Sequence, residues 1–186
     1  MCVAVLPGER IDAMNDMGSP ANTVFRFGDR MKVEILQGDI LAPGIAVDAV
    51  VSTDDNYLTM GSGVSAALRK QAGSIDYVRE AQVQCPVKAG SVVVTCSYGV
   101  KEALKADYVL HGAVIDFDTS DLGLSELVEQ VTANCLEQAE ARGLQSILFP
   151  ALATGAGKLS MEECARRMCS AIKTDRKSTR LNSSHT

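Results

Sequence analysis

The chain has 186 residues, 46% hydrophobic and 22% charged, with a formal net charge of −5. That balance suits one globular domain around a sizeable core and excludes a chain disordered throughout. No apolar run approaches the roughly 18 residues needed to cross a bilayer. Residues 1–6 are too short and uncharged for a signal peptide, so no membrane partner is expected and the setting reads as cytoplasmic. Acidity argues against a broad phosphate-backbone footprint, hence against non-specific nucleic-acid binding. Six cysteines (Cys2, Cys85, Cys96, Cys135, Cys164, Cys169) lie scattered without a C-x-x-C pair, with only His111 and His185 for company. They have no metal-ligand spacing and read as reduced, mostly core thiols. Neither a metal nor a cofactor is expected.

In chain order, residues 1–30 show little periodicity before "TVFRF" and read as a loose N-terminal arm leading into an edge strand. Then come five short Val- and Ile-rich runs: "MKVEIL" (31–36), "VDAVVS" (47–52), "SVVVTC" (91–96), "DYVLHGAVI" (107–115) and "SILFPAL" (146–152). Several are apolar throughout, as strands covered on both faces are. Between them lie helical patterns. Residues 124–142 set Leu127, Val128, Val131, Cys135, Leu136 and Ala139 on one stripe and end at Gly143, a C-cap glycine. Residues 160–173 open on a capping box, Ser160 with Glu163, and set Met161, Cys164, Ala165, Met168, Cys169 and Ile172 on one face. Alternation of this kind predicts a three-layer α/β/α domain with a mixed, largely parallel central sheet. The last stretch, "DRKSTRLNSSHT" (175–186), breaks the helical pattern and matches the translation of a common sequencing-library adapter. The natural domain is therefore expected over 31–173, truncated near Lys173. Arg176, Lys177 and Arg180 against Asp175 make the tail +2, so the rest of the chain carries −7.

In such sheets a ligand sits at the carboxyl ends of the strands, where backbone amides and helix N-termini converge. Three loops are expected there. "QGDIL" places Asp39 at a strand end; "STDDNYLTMGSG" carries two adjacent acids and a Gly-Ser-Gly; "ATGAGKLS" carries Gly155 and Gly157. Glycines permit close ligand approach and positive φ, a geometry suited to cradling phosphate oxygens with N–H donors. Either loop alone is as well read as a tight turn. Neither matches a P-loop or the dinucleotide G-x-G-x-x-G.

The blocks "VEILQGDIL", "VDAVVSTDDNYLTMGSGVSAALRKQAG", "DYVLHGAV" and "SILFPALATGAGKLSMEECARRM" together resemble the macro domain, the ADP-ribose-binding and ADP-ribosyl-hydrolysing module, from about residue 31 to 173. That resemblance implies a role for each loop. Asp39 matches the aspartate that accepts from the adenine amino group, and Ile40 lines the same pocket. Gly61, Ser62, Gly63 and Val64 match the glycine-rich loop that meets the diphosphate and distal ribose, with Ser65 closing it. Ala153, Thr154, Gly155, Ala156 and Gly157 match the second diphosphate loop. The partners implied are ADP-ribose or a related small molecule, and an ADP-ribosylated protein.

The departures bear on mechanism. Family members usually read N-A-A-N where this chain has Ser52-Thr53-Asp54-Asp55, so Asp55 stands where an asparagine touches the distal ribose. Ser65 stands where a hydrolytic subgroup has its catalytic aspartate. Asp55 is then the candidate base, since a carboxylate deprotonates a hydroxyl or a water and an amide does not. The alternative is ribose hydrogen bonding without chemistry. Asp54 reads as a turn or helix N-terminal residue, Asn56 and Tyr57 as loop and packing residues, and His111 as a satisfied core histidine. Phe117 either covers the ligand or packs its loop. The aromatic on which adenine often stacks in the family, near the C-terminal end, would fall beyond the truncation. Two functions remain open: a module that binds ADP-ribose or an ADP-ribosylated or acetylated derivative, and a hydrolase that removes ADP-ribose or an acyl group from ester-linked derivatives. Another nucleotide ligand is a third.

Overall fold

The structure is a computed structural model and describes residues 2–7, 23–27, 31–118 and 121–182. Among these residues seven strands form one sheet: β1 (Cys2–Pro7), β2 (Thr23–Phe27), β3 (Met31–Leu36), β4 (Ala49–Asp55), β5 (Val92–Cys96), β6 (Tyr108–Ile115) and β7 (Ile147–Pro150). Their spatial order is β2-β3-β1-β7-β4-β6-β5. β4 runs parallel to β6 and β7, while β1 is antiparallel to both β3 and β7. Hence β3, β7, β4 and β6 all point one way and their carboxyl ends share an edge. β2 and β5 are the antiparallel outer strands. The mixed α/β sheet expected from the alternating pattern is present.

Among the described residues five helices cover the two faces: α1 (Gly63–Ala72), α2 (Ile75–Gln82), α3 (Val100–Leu104), α4 (Leu124–Ala141) and α5 (Met161–Asn182). Period-2 alternation divides the core between them. Val50, Val93, Val109 and Leu148 face Leu68, Tyr77, Val78 and Leu104. Val51, Leu110, Ile147 and Phe149 face Val128, Val131, Cys164, Met168 and Ile172. Each such side chain, fully withdrawn from water, contributes about 1.5–3 kcal/mol. Gly112 of β6 lets α4 approach the sheet: a Cβ there would lie 2.3 Å from Val131 Cγ1. Gly112→Ala should destabilise the fold by about 1–3 kcal/mol, the scale of overpacking, seen as a lower urea midpoint at unchanged slope.

The structure departs from the sequence reading in four respects. Residues 2–7, read as part of a loose arm, form β1, hydrogen-bonded along both edges and interior to the sheet. "CVAVLP" is a continuous apolar run of strand length, which is how a strand covered on both faces looks. The remainder of the arm up to Thr23 lies outside the described residues. α5 continues to Asn182, past the break read at Asp175; no Gly or Pro interrupts it, so its ladder propagates. Ser160 Oγ accepts from Glu163 N at 3.1 Å. Glu163 does not reciprocate, because its carboxylate binds Arg166 and Arg167. Arg167 also reaches Glu126 and Glu129 of α4, tying the two helices together. α2 and α3 have no counterpart in the sequence reading; both are short, with few residues to show a period.

Candidate functional site

Strand register brings the expected loops to one edge. Cys2 pairs with Leu36 on one side and Pro150 on the other, and Asp55 pairs with Ile115. The chain leaving β3, β7, β4 and β6 therefore emerges at the same end of the sheet. After β3, Asp39 is exposed and its Oδ1 accepts from Leu41 N at 2.9 Å. Its Oδ2 has no partner among the described residues. Ile40 is buried in the core cluster beside it.

After β4 the two acids diverge. Asp54 is 5% exposed, and its Oδ1 accepts from Asp55 N and from Met60 N, both at 3.0 Å. Burial pushes its carboxyl up to about 6. Asp55 is nearly as buried. Its Oδ1 accepts from Tyr57 N at 2.8 Å and Thr59 N at 3.4 Å, and its Oδ2 from the Thr59 hydroxyl. Both carboxylates thus organise one turn. Leu58 and Met60 in that turn adopt φ of 49° and 52° with fully buried side chains, a strained backbone held by packing.

The turn delivers Gly61, Ser62 and Gly63, all exposed, to the start of α1. Gly63 has φ 59°, and no heavy atom lies within 4 Å of where its Cβ would be. Ser62 is the N-cap but makes no side-chain cap bond, and the first turn holds no acid. The first amides of α1 are left to a ligand or to water, and the helix dipole favours an anion there. Val64 is half-buried, and Ser65 is buried with its hydroxyl donating to Ser62 O at 3.0 Å.

After β7, the second glycine loop is closed by Lys158 N to Gly155 O and Leu159 N to Ala153 O, both 3.1 Å. Thr154 donates to Ala151 O at 2.9 Å. Positive φ falls on Ala153 (59°) and Lys158 (56°), not on the glycines. Gly155 and Ala156 are exposed, and a Cβ on Gly155 meets nothing within 4 Å. Gly157 differs: a Cβ there would lie 2.6 Å from Ala153 O, so its smallness serves the loop itself.

The loop after β6 adds residues that the sequence reading passes over. Asp118 accepts from Asn56 Nδ2 at 2.7 Å and from the Tyr57 hydroxyl at 3.2 Å, which raises the Tyr57 phenol. Asn56 Oδ1 accepts from Phe117 N at 3.0 Å. Asn56 so brackets the β4 and β6 ends, beside a cleft of about 410 Å3 lined by Asn56, Lys88, Asp116, Asp118 and Asp121. The only hint in the sequence is "DFD" directly after a strand. Phe117 is 65% exposed. His111 is fully buried with Nε2 3.0 Å from Thr95 Oγ1, and burial pushes it down to about 3, so it is neutral at physiological pH. It lies among core residues.

Residues 51–168 match the family model of the Macro domain, and the chain belongs to that family. An uncharacterized protein of Sulfurisphaera tokodaii is 34% identical over 151 residues, spanning 78% of this chain and 76% of that one. An O-acetyl-ADP-ribose deacetylase of Escherichia fergusonii is 31% identical over 131 residues, spanning 68% and 70%. Among solved structures, a mutant of the Oceanobacillus iheyensis macrodomain with ADPR superposes with a TM-score of 0.66 at 20% identity, over 82% of this chain and 81% of that one. Among the described residues no helix is long and apolar enough to cross a membrane.

Proposed function

We propose that this chain binds ADP-ribose, or an ADP-ribosylated or acetylated derivative, at the carboxyl ends of β3, β7, β4 and β6. One observation carries the reading: the uncapped, acid-free start of α1 and the exposed Gly155 loop leave the same sheet edge. Amide donors on such loops suit a diphosphate. Asp39, with Oδ2 unengaged beside the buried Ile40, is suited to accept from an adenine amino group. The solved relative with ADPR supports the ligand class. Free thiols at Cys85, Cys96, Cys135, Cys164 and Cys169 accord with a reducing, cytoplasmic setting. ADP-ribosylated protein is a partner of the same chemistry.

A second reading, hydrolysis of an ester-linked derivative, is favoured by the deacetylase relative. Asp55 is its candidate base. Three hydrogen bonds fix that carboxylate. A carboxylate offers about four acceptor positions, so one is left for a ribose hydroxyl or a water.

The test is calorimetry with ADP-ribose on wild type and Asp39→Ala. The variant should lose about 1.5–3 kcal/mol, the scale of a hydrogen bond to a charged group, and AMP should suffer the same loss. Unchanged affinity would remove Asp39 from the adenine site. A wild type blind to ADP-ribose would remove the function.

A further inference from the structure

β4 ends on two neighbouring carboxylates, Asp54 and Asp55, close enough that Asp55 adds to the upward push that burial gives Asp54. Asp54 shares its face with Val50 and Ser52, over which α1 and α2 pack. One oxygen, Oδ1, holds Asp55 N and Met60 N together, so it pins both ends of the turn that precedes Gly61. The other oxygen, Oδ2, is buried and has no partner among the described residues. Ser52 Oγ, the Tyr77 hydroxyl and His111 Nδ1 are buried and unpartnered likewise. Ser52 and His111 are register partners on β4 and β6, and the Tyr77 ring lies 5.3 Å from His111. These groups gather on one face, under the turn that carries the ligand loop.

The charges around Asp54 are all negative or absent. α1 turns Ser65, Leu68 and Ala72 inward, while its Arg69 and Lys70 are exposed. α2 supplies Tyr77, whose phenol is raised by burial and then by Asp54, and the segment after it supplies Cys85, whose thiol is raised by burial and by Asp55 and Asp54. β6 supplies the neutral His111, β7 has no titratable side chain, and β4 adds the second carboxylate, Asp55. Among the described residues no cation compensates the buried charge, and an anion in the Gly61–Gly63 loop would bring further negative charge to the same turn.

We propose that Asp54 is a positioning residue of the ligand loop, holding it through Oδ1 and taking up a solvent proton on Oδ2 when a diphosphate occupies the loop. This rests on the ADP-ribose reading above. Protonation leaves Oδ1 as an acceptor for both amides and removes the uncompensated charge from the buried Oδ2. Binding and protonation then favour each other, as linkage requires. ADP-ribose should bind more tightly as pH falls from 8 to 5.5, by about tenfold for each pKa unit that the bound anion adds to Asp54.

Stability carries the same sign. The folded carboxyl, at about 6, lies above its ordinary value of 3.8. The folded state therefore holds its proton more strongly, and ionisation of Asp54 weakens the fold as pH rises through that window. Asp54→Asn keeps an acceptor, adds a donor and removes the charge. It should raise Tm at pH 7.5 and leave it nearly unchanged at pH 4.

The experiment is calorimetry with ADP-ribose at pH 5.5 and 8, each in two buffers of different ionisation enthalpy, on wild type and Asp54→Asn. The expected result is net proton uptake by wild type, absent in Asp54→Asn, and a variant affinity that no longer varies with pH. Wild-type binding without proton uptake or pH dependence would overturn the inference alone, even if the variant failed to fold. So would a folded Asp54→Asn that keeps the pH dependence. A wild type that binds no ADP-ribose at either pH would overturn the functional reading and this inference with it.

Discussion

Gly155→Val should weaken ADP-ribose binding by about 100-fold or more, close to 3 kcal/mol, and leave the fold intact. Gly155 does not adopt positive φ, and a Cβ there meets nothing within 4 Å, so a side chain there leaves the protein through open space and strains no backbone. What it occupies is the approach to the Lys158 N, Gly155 and Leu159 turn, where the ligand reading needs a diphosphate to come close. Gly157→Val is the contrast. Its Cβ would lie 2.6 Å from Ala153 O and 3.0 Å from Ala153 Cβ, so that variant should lose stability and binding together. Calorimetry paired with thermal unfolding separates the two. A folded Gly155→Val that binds as wild type does would show that this loop is not the cradle.

Asp55→Asn should leave ADP-ribose affinity nearly intact and lower turnover of an acylated ADP-ribose by about 10²–10⁴-fold, the usual contribution of positioned proton transfer. Asparagine retains one oxygen for Tyr57 N, and the Thr59 hydroxyl, now facing an amide, rotates to accept instead of donate. The turn therefore survives while the base is gone. Single-turnover release of the acyl group, set beside calorimetry on the same variant, reads both quantities. Equal loss of binding and turnover would mark Asp55 as a holding residue, since contacts made alike in ground and transition states do not speed the chemical step. No turnover by wild type on ester-linked substrates would leave the binding module.

Much of the architecture is local enough to read from the chain. "SVVVTC", "DYVLHGAVI" and "SILFPAL" announce strands as short, mostly apolar runs, and the Leu127-to-Ala139 stripe announces α4, because a period needs only neighbours in sequence. Both glycine loops are legible by the same means, at strand-to-helix junctions. The position of β1 is not, since whether "CVAVLP" is an arm or an interior strand depends on β3 and β7, whose pairing residues lie far along the chain. The acid pair shows the same division within one site. The sequence by itself determined that Asp54 and Asp55 lie where a strand-like run passes into a glycine-rich loop. Only the tertiary structure decided that Asp54 is buried near Tyr77 with one oxygen unpaired, and that Asp55 spends its oxygens on Tyr57 and Thr59. The physical reason is that desolvation and hydrogen-bond supply depend on what packs above a side chain, and here α2 and the returning turn do that packing.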